Sequence, residues 1–293
     1  MNWAILLLKR RVLGIGLLLC AMTVMVLFFY KGGAVEAMRA DAQPGVPLPV
    51  IMYHSVLRDP QRSGQYVVTP AQLEEDFIYL KKEGYTTVLP SELKSYVDGE
   101  CDLPERPVLI TFDDGYYNNL TYVLPILKRL DMKAVVSIVG SYTEKAANVM
   151  DQNPSYAHLI WEDVCTLVAS GHVEIGSHSY GLHTAKNGRE GVIRKLGESA
   201  AAHEAVLRED IIKFEEMITM HCGIVPITFA YPFGQWDEES DAVLRKMGFA
   251  VTMTCRERMN YIERNPASLV RLGRYNRPSG ISTAAFMQKV LKS

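Results

Sequence analysis

The sequence predicts an α/β protein built as a barrel of parallel strands. Short runs rich in β-branched and aromatic residues alternate with helix-like runs over most of the chain. One of these runs, residues 108–112, is apolar on both faces, as a strand buried in a parallel sheet is. About 245 residues follow the N-terminal region without a second linker, which suits one large barrel. Regular alternation of strands and helices is typical of a (β/α) barrel.

The N-terminal region predicts one membrane-spanning helix. Residues 12–30 form an uncharged apolar run of 19 residues, about 28 Å long as a helix. Basic residues at 9–11 place residues 1–11 in the cytoplasm and the rest outside, as a single-pass protein of the cell membrane. The alternative is secretion after cleavage of a signal peptide near Ala37, but the apolar run is longer than a usual signal core.

Residues 31–46 have the Gly- and Pro-rich composition of a linker, and residues 47–293 are predicted to form the folded domain. The formal net charge of the chain is −2. The first 40 residues carry five basic residues and one acidic residue, so the remaining chain is more acidic still. This balance argues against nucleic acid as a partner.

The external part holds four cysteines, Cys101, Cys165, Cys222 and Cys255, without Cys-x-x-Cys spacing. A zinc-cysteine site is therefore not expected. Disulfides are permitted outside the cell, but four cysteines allow three pairings and the sequence selects none of them. We expect free and mostly buried thiols.

The first half of the domain shows four strands and three helices. Thr69 predicts an N-cap with Pro70 at the first helical position, and Gly84 ends that helix. Pro125 is expected to kink the third helix. The predicted strands cover 48–56, 85–89, 108–112 and 134–139, and the predicted helices cover 70–83, 92–97 and 120–130.

The second half continues the alternation. Gly171 is expected to cap a helix over 161–169, and a long helical stretch over 191–220 is expected to break near Gly197. The remaining predicted strands cover 173–178, 227–231, 250–254 and 269–274, and the last two predicted helices cover 238–246 and 283–291. The strand count is about eight.

Two adjacent carboxylates, Asp113 and Asp114, end the apolar strand and precede Gly115. In barrels of parallel strands, the C-terminal ends of the strands carry the chemistry, so paired acids at this position indicate a functional site. A turn that caps the next helix is the structural alternative.

Two histidines, His178 and His183, follow another strand-like run and are five residues apart across a loop that contains Gly181. A single histidine at a strand end is more often structural. Two histidines together with a carboxylate form a set that binds a divalent metal ion and leaves positions open for water or substrate. We therefore predict a metal site.

Three segments of the chain resemble motifs of the polysaccharide deacetylases, the NodB-homology group of carbohydrate esterases. These segments are Thr-Phe-Asp-Asp-Gly at 111–115, His178-Ser179 with His183, and Phe-Ala-Tyr-Pro-Phe-Gly at 229–234. Their order and spacing fit over roughly residue 47 to the C-terminus. The resemblance implies a distorted barrel of roughly seven strands.

The resemblance also implies roles for individual residues. Asp114, His178 and His183 would hold the metal ion, with zinc as the default and cobalt, nickel or manganese as alternatives. Asp113 would be the general base, and Phe233 aligns with the position whose backbone N–H helps bind the oxyanion. The family usually has a tyrosine at that position, which matters little because only the amide is needed.

Two departures from the family pattern affect the remaining roles. Ala230 stands where the family usually has an arginine that orients the base, and either Arg271 or Arg274 is a candidate substitute, although a structural salt bridge explains either equally well. No histidine follows His221, so the usual late histidine acid is missing. Among the other histidines only His54 lies at the C-terminal end of a predicted strand. It resembles the acid of the poly-N-acetylglucosamine deacetylase subgroup, and we predict that role.

Together with the anchor predicted over residues 12–30, the resemblance implies a membrane-anchored, metal-dependent hydrolase that removes N-acetyl groups from N-acetylglucosamine units of an extracellular or cell-wall polysaccharide. A peptidoglycan or O-acetyl-glycan deacetylase is one alternative, since amide and ester hydrolysis use the same groups. A glycan-binding module without catalysis is another alternative, which the intact set of acids and histidines argues against.

Overall fold

The computed structural model describes Trp3 and residues 45–291, and a compact unit begins at Gly45. The predicted transmembrane segment 12–30 lies outside the described residues, and so does most of the predicted linker. Among the residues that are described, no helix has the length and apolarity needed to cross a membrane.

Parallel strands form the centre of the fold, which confirms the predicted α/β barrel architecture. In chain order the strands are β1 (Val50–Tyr53), β2 (Thr86–Thr87), β3 (Pro107–Phe112), β4 (Ala134–Ile138), β5 (Val173–Ser177), β6 (Thr228–Ala230), β7 (Val251–Met253) and β8 (Tyr275–Asn276). Seven of them form a continuous parallel sheet in the order β7-β6-β5-β4-β3-β1-β8, and β2 pairs with β3. Leu272, just before β8, is hydrogen-bonded to β7, so the backbone connects the two edges of the sheet.

Eight α-helices accompany these strands in the described part of the chain. They are α1 (Pro70–Lys82), α2 (Pro90–Val97), α3 (Leu124–Leu130), α4 (Gly140–Val149), α5 (Trp161–Ala169), α6 (Ala200–Cys222), α7 (Glu238–Lys246) and α8 (Thr283–Leu291). The Thr69 side chain accepts a hydrogen bond from the backbone N–H of Gln72, which confirms the predicted cap of α1. The predicted bounds of α5, α7 and α8 are also confirmed.

The core contains separate clusters on the two faces of the sheet, because successive side chains along a strand point to opposite faces. Val108, Ile110 and Phe112 of β3 pack in a cluster with residues of the surrounding helices, whereas Leu109 belongs to a second cluster with Val50 of the neighbouring strand. All six residues of β3 are buried. The strand that leads to the paired acids is therefore packed on both faces, as its composition predicts.

Three predicted elements differ in the structure. The helix predicted over 191–220 begins only at Ala200, because Gly191 and Gly197 adopt positive φ and the Ser199 side chain caps the helix by accepting from the N–H of Ala202. Just before this segment, residues 185–190 form a short antiparallel hairpin. The helix predicted over 120–130 starts with a π-helical turn over 119–123, and Pro125 lies in the first turn of α3, where its missing N–H costs little.

The strand predicted over 269–274 is also wrong. Residues 266–269 form a 3₁₀ turn that the Asn265 side chain caps, and Arg271 has a φ of 60°, which interrupts an extended run. The paired strand there is β8, at Tyr275–Asn276. Helix α4 was not predicted, since its sequence has no clear apolar stripe.

The cysteine prediction is wrong as well. Cys165 on α5 and Cys222 at the end of α6 form a disulfide with a Cα–Cα distance of 5.1 Å, and Cys101 and Cys255 are free but exposed. The two bonded cysteines are 57 residues apart in sequence, and the packing of α5 on α6 brings them together.

Candidate active site

The predicted site residues converge at the C-terminal ends of the barrel strands. Asp113 and Asp114 follow β3 directly, His178 follows β5, and His54 follows β1. The chain turns sharply after β3: Asp114 has a φ of 73° and Gly115 a φ of 70°. A Cβ at Gly115 would lie 2.8 Å from a side-chain carbon of Ile138, so this turn requires glycine. Aspartate is one of the few non-glycine residues that adopt positive φ readily, so Asp114 suits this turn.

The structure brings the three predicted metal ligands together. The Oδ1 atom of Asp114 lies 3.8 Å from Nε2 of His178 and 3.6 Å from Nε2 of His183. One ligand atom from each residue lies within 4.8 Å of the other two. Ligand atoms about 2.1 Å from a tetrahedral ion are about 3.4 Å apart, so this donor set fits a divalent metal ion with a small adjustment of side chains.

Both histidines are oriented by partners on their other ring nitrogen. His178 Nδ1 lies 2.7 Å from the backbone carbonyl oxygen of Ala230, and His183 Nδ1 lies 3.4 Å from the Tyr142 hydroxyl. The carbonyl fixes the His178 tautomer that leaves Nε2 free to bind a metal ion, and the hydroxyl contact helps to orient the His183 ring. Burial lowers the pKa of both imidazoles, which favours the neutral form that a ligand needs. The residue that replaces the family arginine, Ala230, thus contributes its carbonyl to the site.

Asp113 is held by a buried arginine. Arg274 donates from Nη1 to Asp113 Oδ1 at 2.8 Å, and its Nη2 lies 2.8 Å from Oδ2, while its Nε donates to the Thr254 carbonyl. Both side chains are buried. Burial alone would raise the pKa of Asp113, but Arg274, with smaller contributions from His178 and His54, lowers it well below its usual range. The carboxylate is therefore ionised and fixed in direction.

Of the two arginine candidates, Arg274 is the one that contacts Asp113. Arg271 instead pairs with Glu238 at 2.9 Å and stacks over the Trp236 ring at 4.2 Å. The sequence could not separate the two because both precede β8 within a few residues. The positive φ of Arg271 turns the chain between them.

His54 lies in the same cavity, which has a volume of about 460 Å³ and is also lined by Asp114, His183 and Phe233. Its ring centroid is 4.8 Å from that of Tyr66. Its Nδ1 is buried and has no hydrogen-bond partner among the described residues. Burial lowers the pKa of His54 to about 4, Asp113 partly opposes this, and Arg274 adds to it.

Replacing His54 with glutamine in metal-free protein is expected to reduce the loss in the free energy of unfolding that occurs as the pH falls below neutral. Histidine binds a proton near pH 6.5 in the unfolded chain and near pH 4 in the folded protein, so the wild type loses stability as the pH falls through this window. Between pH 6.5 and 5 the difference amounts to about 2 kcal/mol. Urea unfolding at pH 7 and pH 5 with chelator should show a loss smaller by this amount in His54→Gln. An equal loss in both proteins would mean that folded His54 takes up protons freely.

Phe233 lines the same cavity as His54 and lies in the predicted oxyanion loop. It has a φ of 60°, and its ring centroid is 4.5 Å from that of His183. The next residue, Gly234, has a φ of 71°, and a Cβ there would lie 2.6 Å from Cβ of Cys255. The loop therefore adopts a conformation that needs glycine and that presents Phe233 at the cavity.

Two tyrosines of the site were not predicted from the sequence. Tyr116 lines the cavity beside Asp114, and Tyr142 contacts His183 as described above. The only signal for Tyr116 was its position two residues after the acid. Tyr142 lies on α4, the helix that the sequence did not predict.

Comparison with known proteins agrees with this geometry. The sequence model of the family described as polysaccharide deacetylase matches residues 101–252. The poly-beta-1,6-N-acetyl-D-glucosamine N-deacetylase of Escherichia coli K12 is 27% identical over 222 residues, which cover 70% of this chain and 33% of that protein. The chain thus spans about a third of the length of this relative.

Two solved structures resemble the fold. IcaB from Ammonifex degensii has a TM-score of 0.68 and 25% identity, and the match covers 85% of this chain and 97% of that one. A de-N-acetylase from Aggregatibacter actinomycetemcomitans has a TM-score of 0.66 and 25% identity, and the match covers 81% of this chain and 98% of that one.

Proposed function

Because the chain belongs to the polysaccharide deacetylase family, we propose that it is a metal-dependent hydrolase that removes N-acetyl groups from N-acetylglucosamine units of a polysaccharide. One observation carries the proposal: ligand atoms of Asp114, His178 and His183 lie within 4.8 Å of one another, and the adjacent carboxylate, Asp113, is kept ionised by a buried arginine. Metal-assisted hydrolysis of an amide uses a metal site together with a base of this kind.

Asp114, His178 and His183 would hold the metal ion, for which we propose zinc because two of the three donors are imidazoles. When bound, a divalent cation lowers the pKa of a coordinated water and polarises a carbonyl group. Asp113 takes the proton of the attacking water, and Arg274 keeps the carboxylate turned towards it. Two neighbouring acids divide the work in this way because the metal neutralises one charge and leaves the other carboxylate free to accept a proton.

Two further groups act on the amide bond that is cleaved, one on its acetyl oxygen and the other on its departing amine. The backbone N–H of Phe233 donates to the oxygen that gains negative charge as water adds to the acetyl carbonyl. His54 gives a proton to the departing amine. Since burial lowers its pKa to about 4, His54 is neutral at neutral pH before the reaction, and the proton that it gives must reach it within the site during turnover.

The proposed substrate is a polymer of N-acetylglucosamine. The E. coli relative is named for poly-beta-1,6-N-acetyl-D-glucosamine, although this chain spans only a third of it. The His54 arrangement and the five-residue step between the metal histidines resemble the same subgroup. We therefore propose the β-1,6-linked polymer as substrate, and peptidoglycan is the comparison polymer in the test.

The proposed location of the domain is outside the cell membrane, anchored by residues 12–30. The disulfide between Cys165 and Cys222 supports it, because such bonds persist in oxidising compartments and are rare in the cytosol. Deacetylation there would leave free amines that become cationic near neutral pH, which would change how the polymer adheres to anionic surfaces.

Acetate release by the full chain tests the proposal. The purified protein is given a β-1,6-linked N-acetylglucosamine hexamer or peptidoglycan, with zinc, cobalt, nickel, manganese or chelator. We expect metal-dependent release that favours the hexamer and that is lost in Asp114→Ala, because a ligand to the metal is removed. Full activity of Asp114→Ala in chelator would refute the metal mechanism. Metal-dependent release from peptidoglycan alone would refute the proposed substrate.

A further inference from the structure

We propose that a second cavity beside the catalytic one binds a neighbouring sugar ring of the polymer, an inference that rests on the proposed function. This cavity has a volume of about 350 Å³, within the size range of ligand sites. It lies between α4 and the segment 151–158, and its walls include Tyr142, Lys145, Val149, Asp151, Tyr156 and His158. We call it the side cavity. None of the roles in catalysis assigned above uses it.

A wall two rings thick separates the side cavity from the catalytic cavity. The Tyr116 ring, which lines the catalytic cavity, stacks on His158 with centroids 5.0 Å apart. His158 lies 4.8 Å from Tyr142, and Tyr142 in turn lies 5.9 Å from the metal ligand His183. The rings that line the two cavities are therefore in contact, and a polymer held by one unit in the catalytic cavity can place a neighbouring unit in the other.

Backbone hydrogen bonds make this wall part of the catalytic loop. The N–H of Tyr117 donates to the Ala157 carbonyl at 2.8 Å, and the N–H of Leu159 donates to the Gly115 carbonyl at 2.9 Å. The segment that bears His158 is thus tied to the turn that follows Asp114. Binding in the side cavity would hold the polymer in a fixed position relative to the reacting acetyl group, as substrate positioning requires.

The groups in the side cavity suit a sugar ring. Tyr156 is 57% exposed and Val149 is 65% exposed, so both side chains are open to a ligand in the side cavity. Aromatic rings offer a flat apolar surface to the C–H face of a pyranose, and their hydroxyls bond its polar edge. Lys145 and Asp151 supply one donor and one acceptor of opposite charge, which fits a neutral ligand rich in hydroxyls better than an anion or a cation.

The dependence of rate on oligomer length tests the inference. For the full chain with metal, the ratio of kcat/KM on a β-1,6-linked N-acetylglucosamine hexamer or dimer to that on the single sugar unit measures how much the units beyond the first contribute. In Tyr156→Ala this ratio should fall about fivefold, the effect of losing one stacked ring. Tyr156→Phe keeps the ring but removes the hydroxyl that donates to Asp151, and it should retain most of the ratio.

A matched pair of surface valines provides the control. Val149 is 65% exposed in the side cavity and Val225 is 64% exposed after α6, so Val149→Thr should lower the ratio and Val225→Thr should not. An unchanged ratio in both Tyr156→Ala and Val149→Thr, with thermal unfolding like that of the wild type, would overturn the inference. No acetate release from either oligomer by the wild type would instead refute the proposed function.

Discussion

Replacement of Asp113 with asparagine is expected to lower kcat for acetate release about a thousandfold while metal binding persists. Asparagine has nearly the same shape as aspartate but cannot accept the proton of the attacking water. The proposed metal ligands Asp114, His178 and His183 remain in place, so the variant should still bind one metal ion per chain. Acetate release at saturating metal, with metal affinity measured by titration calorimetry, checks both halves of this expectation.

Asp114→Asn is the matched variant, because the same chemical change is made one residue further along the chain. It should weaken metal binding, and added metal should restore part of its activity, whereas no metal concentration should rescue Asp113→Asn. Because Asp113→Asn leaves the buried Arg274 without its counter-charge, thermal unfolding must show that the variant is folded at the assay temperature. Retention of more than a tenth of the wild-type kcat by folded Asp113→Asn would mean that another group is the base.

The location of the site could be predicted from the sequence because the residues that define it are local. Val108 to Phe112 form one buried strand, and its end fixes where Asp113 and Asp114 lie. In a barrel of parallel strands, all C-terminal strand ends meet at one face, so His178 after β5 had to lie near them. The same rule brought His54 to the cavity from the end of β1.

What could not be predicted depends on contacts between distant segments. The disulfide joins cysteines 57 residues apart, and only the packing of α5 against α6 selects that pairing. The partner of Asp113 lies 161 residues away, and the choice between Arg271 and Arg274 depends on a positive φ at Arg271 that no propensity indicates. Tyr142 contacts His183 from a helix whose sequence lacks an apolar stripe.

The described part of the chain also holds a second buried ion pair, which can be compared with the pair that Arg274 forms with Asp113. Arg277 binds Asp76 through Nε and Nη2 at 2.7 and 3.0 Å, and the Thr283 and Tyr53 hydroxyls also donate to Asp76. That pair ties α1 and the start of α8 to the barrel, away from the catalytic cavity. Arg274 makes the same kind of two-point contact, but with a carboxylate beside the metal ligands, where direction and charge decide reactivity.

Arg274→Met is therefore expected to lower kcat about a hundredfold near neutral pH and to move the acid limb of the pH–rate profile upwards. Without the guanidinium, the Asp113 carboxylate loses its fixed direction, and a misplacement of about 1 Å costs a factor of that size. Burial then acts on Asp113 with only the smaller contributions of His178 and His54 to oppose it, so its pKa rises. Since the base must be ionised, activity in the variant should fall as the pH drops through this raised pKa, at a higher pH than in the wild type.

Two further variants distinguish positioning of the base from a general loss of structure. Arg271→Met removes a partly exposed arginine that pairs with Glu238, and it should leave both kcat and the acid limb unchanged. Arg274→Met leaves Asp113 buried without its partner, which costs about 3–5 kcal/mol of stability. Arg274→Lys keeps the charge but not the two-point contact, so it should lose activity through misdirection while the acid limb stays close to that of the wild type. An acid limb at the same pH in Arg274→Met and in the wild type would show that Arg274 supports the fold without tuning the base.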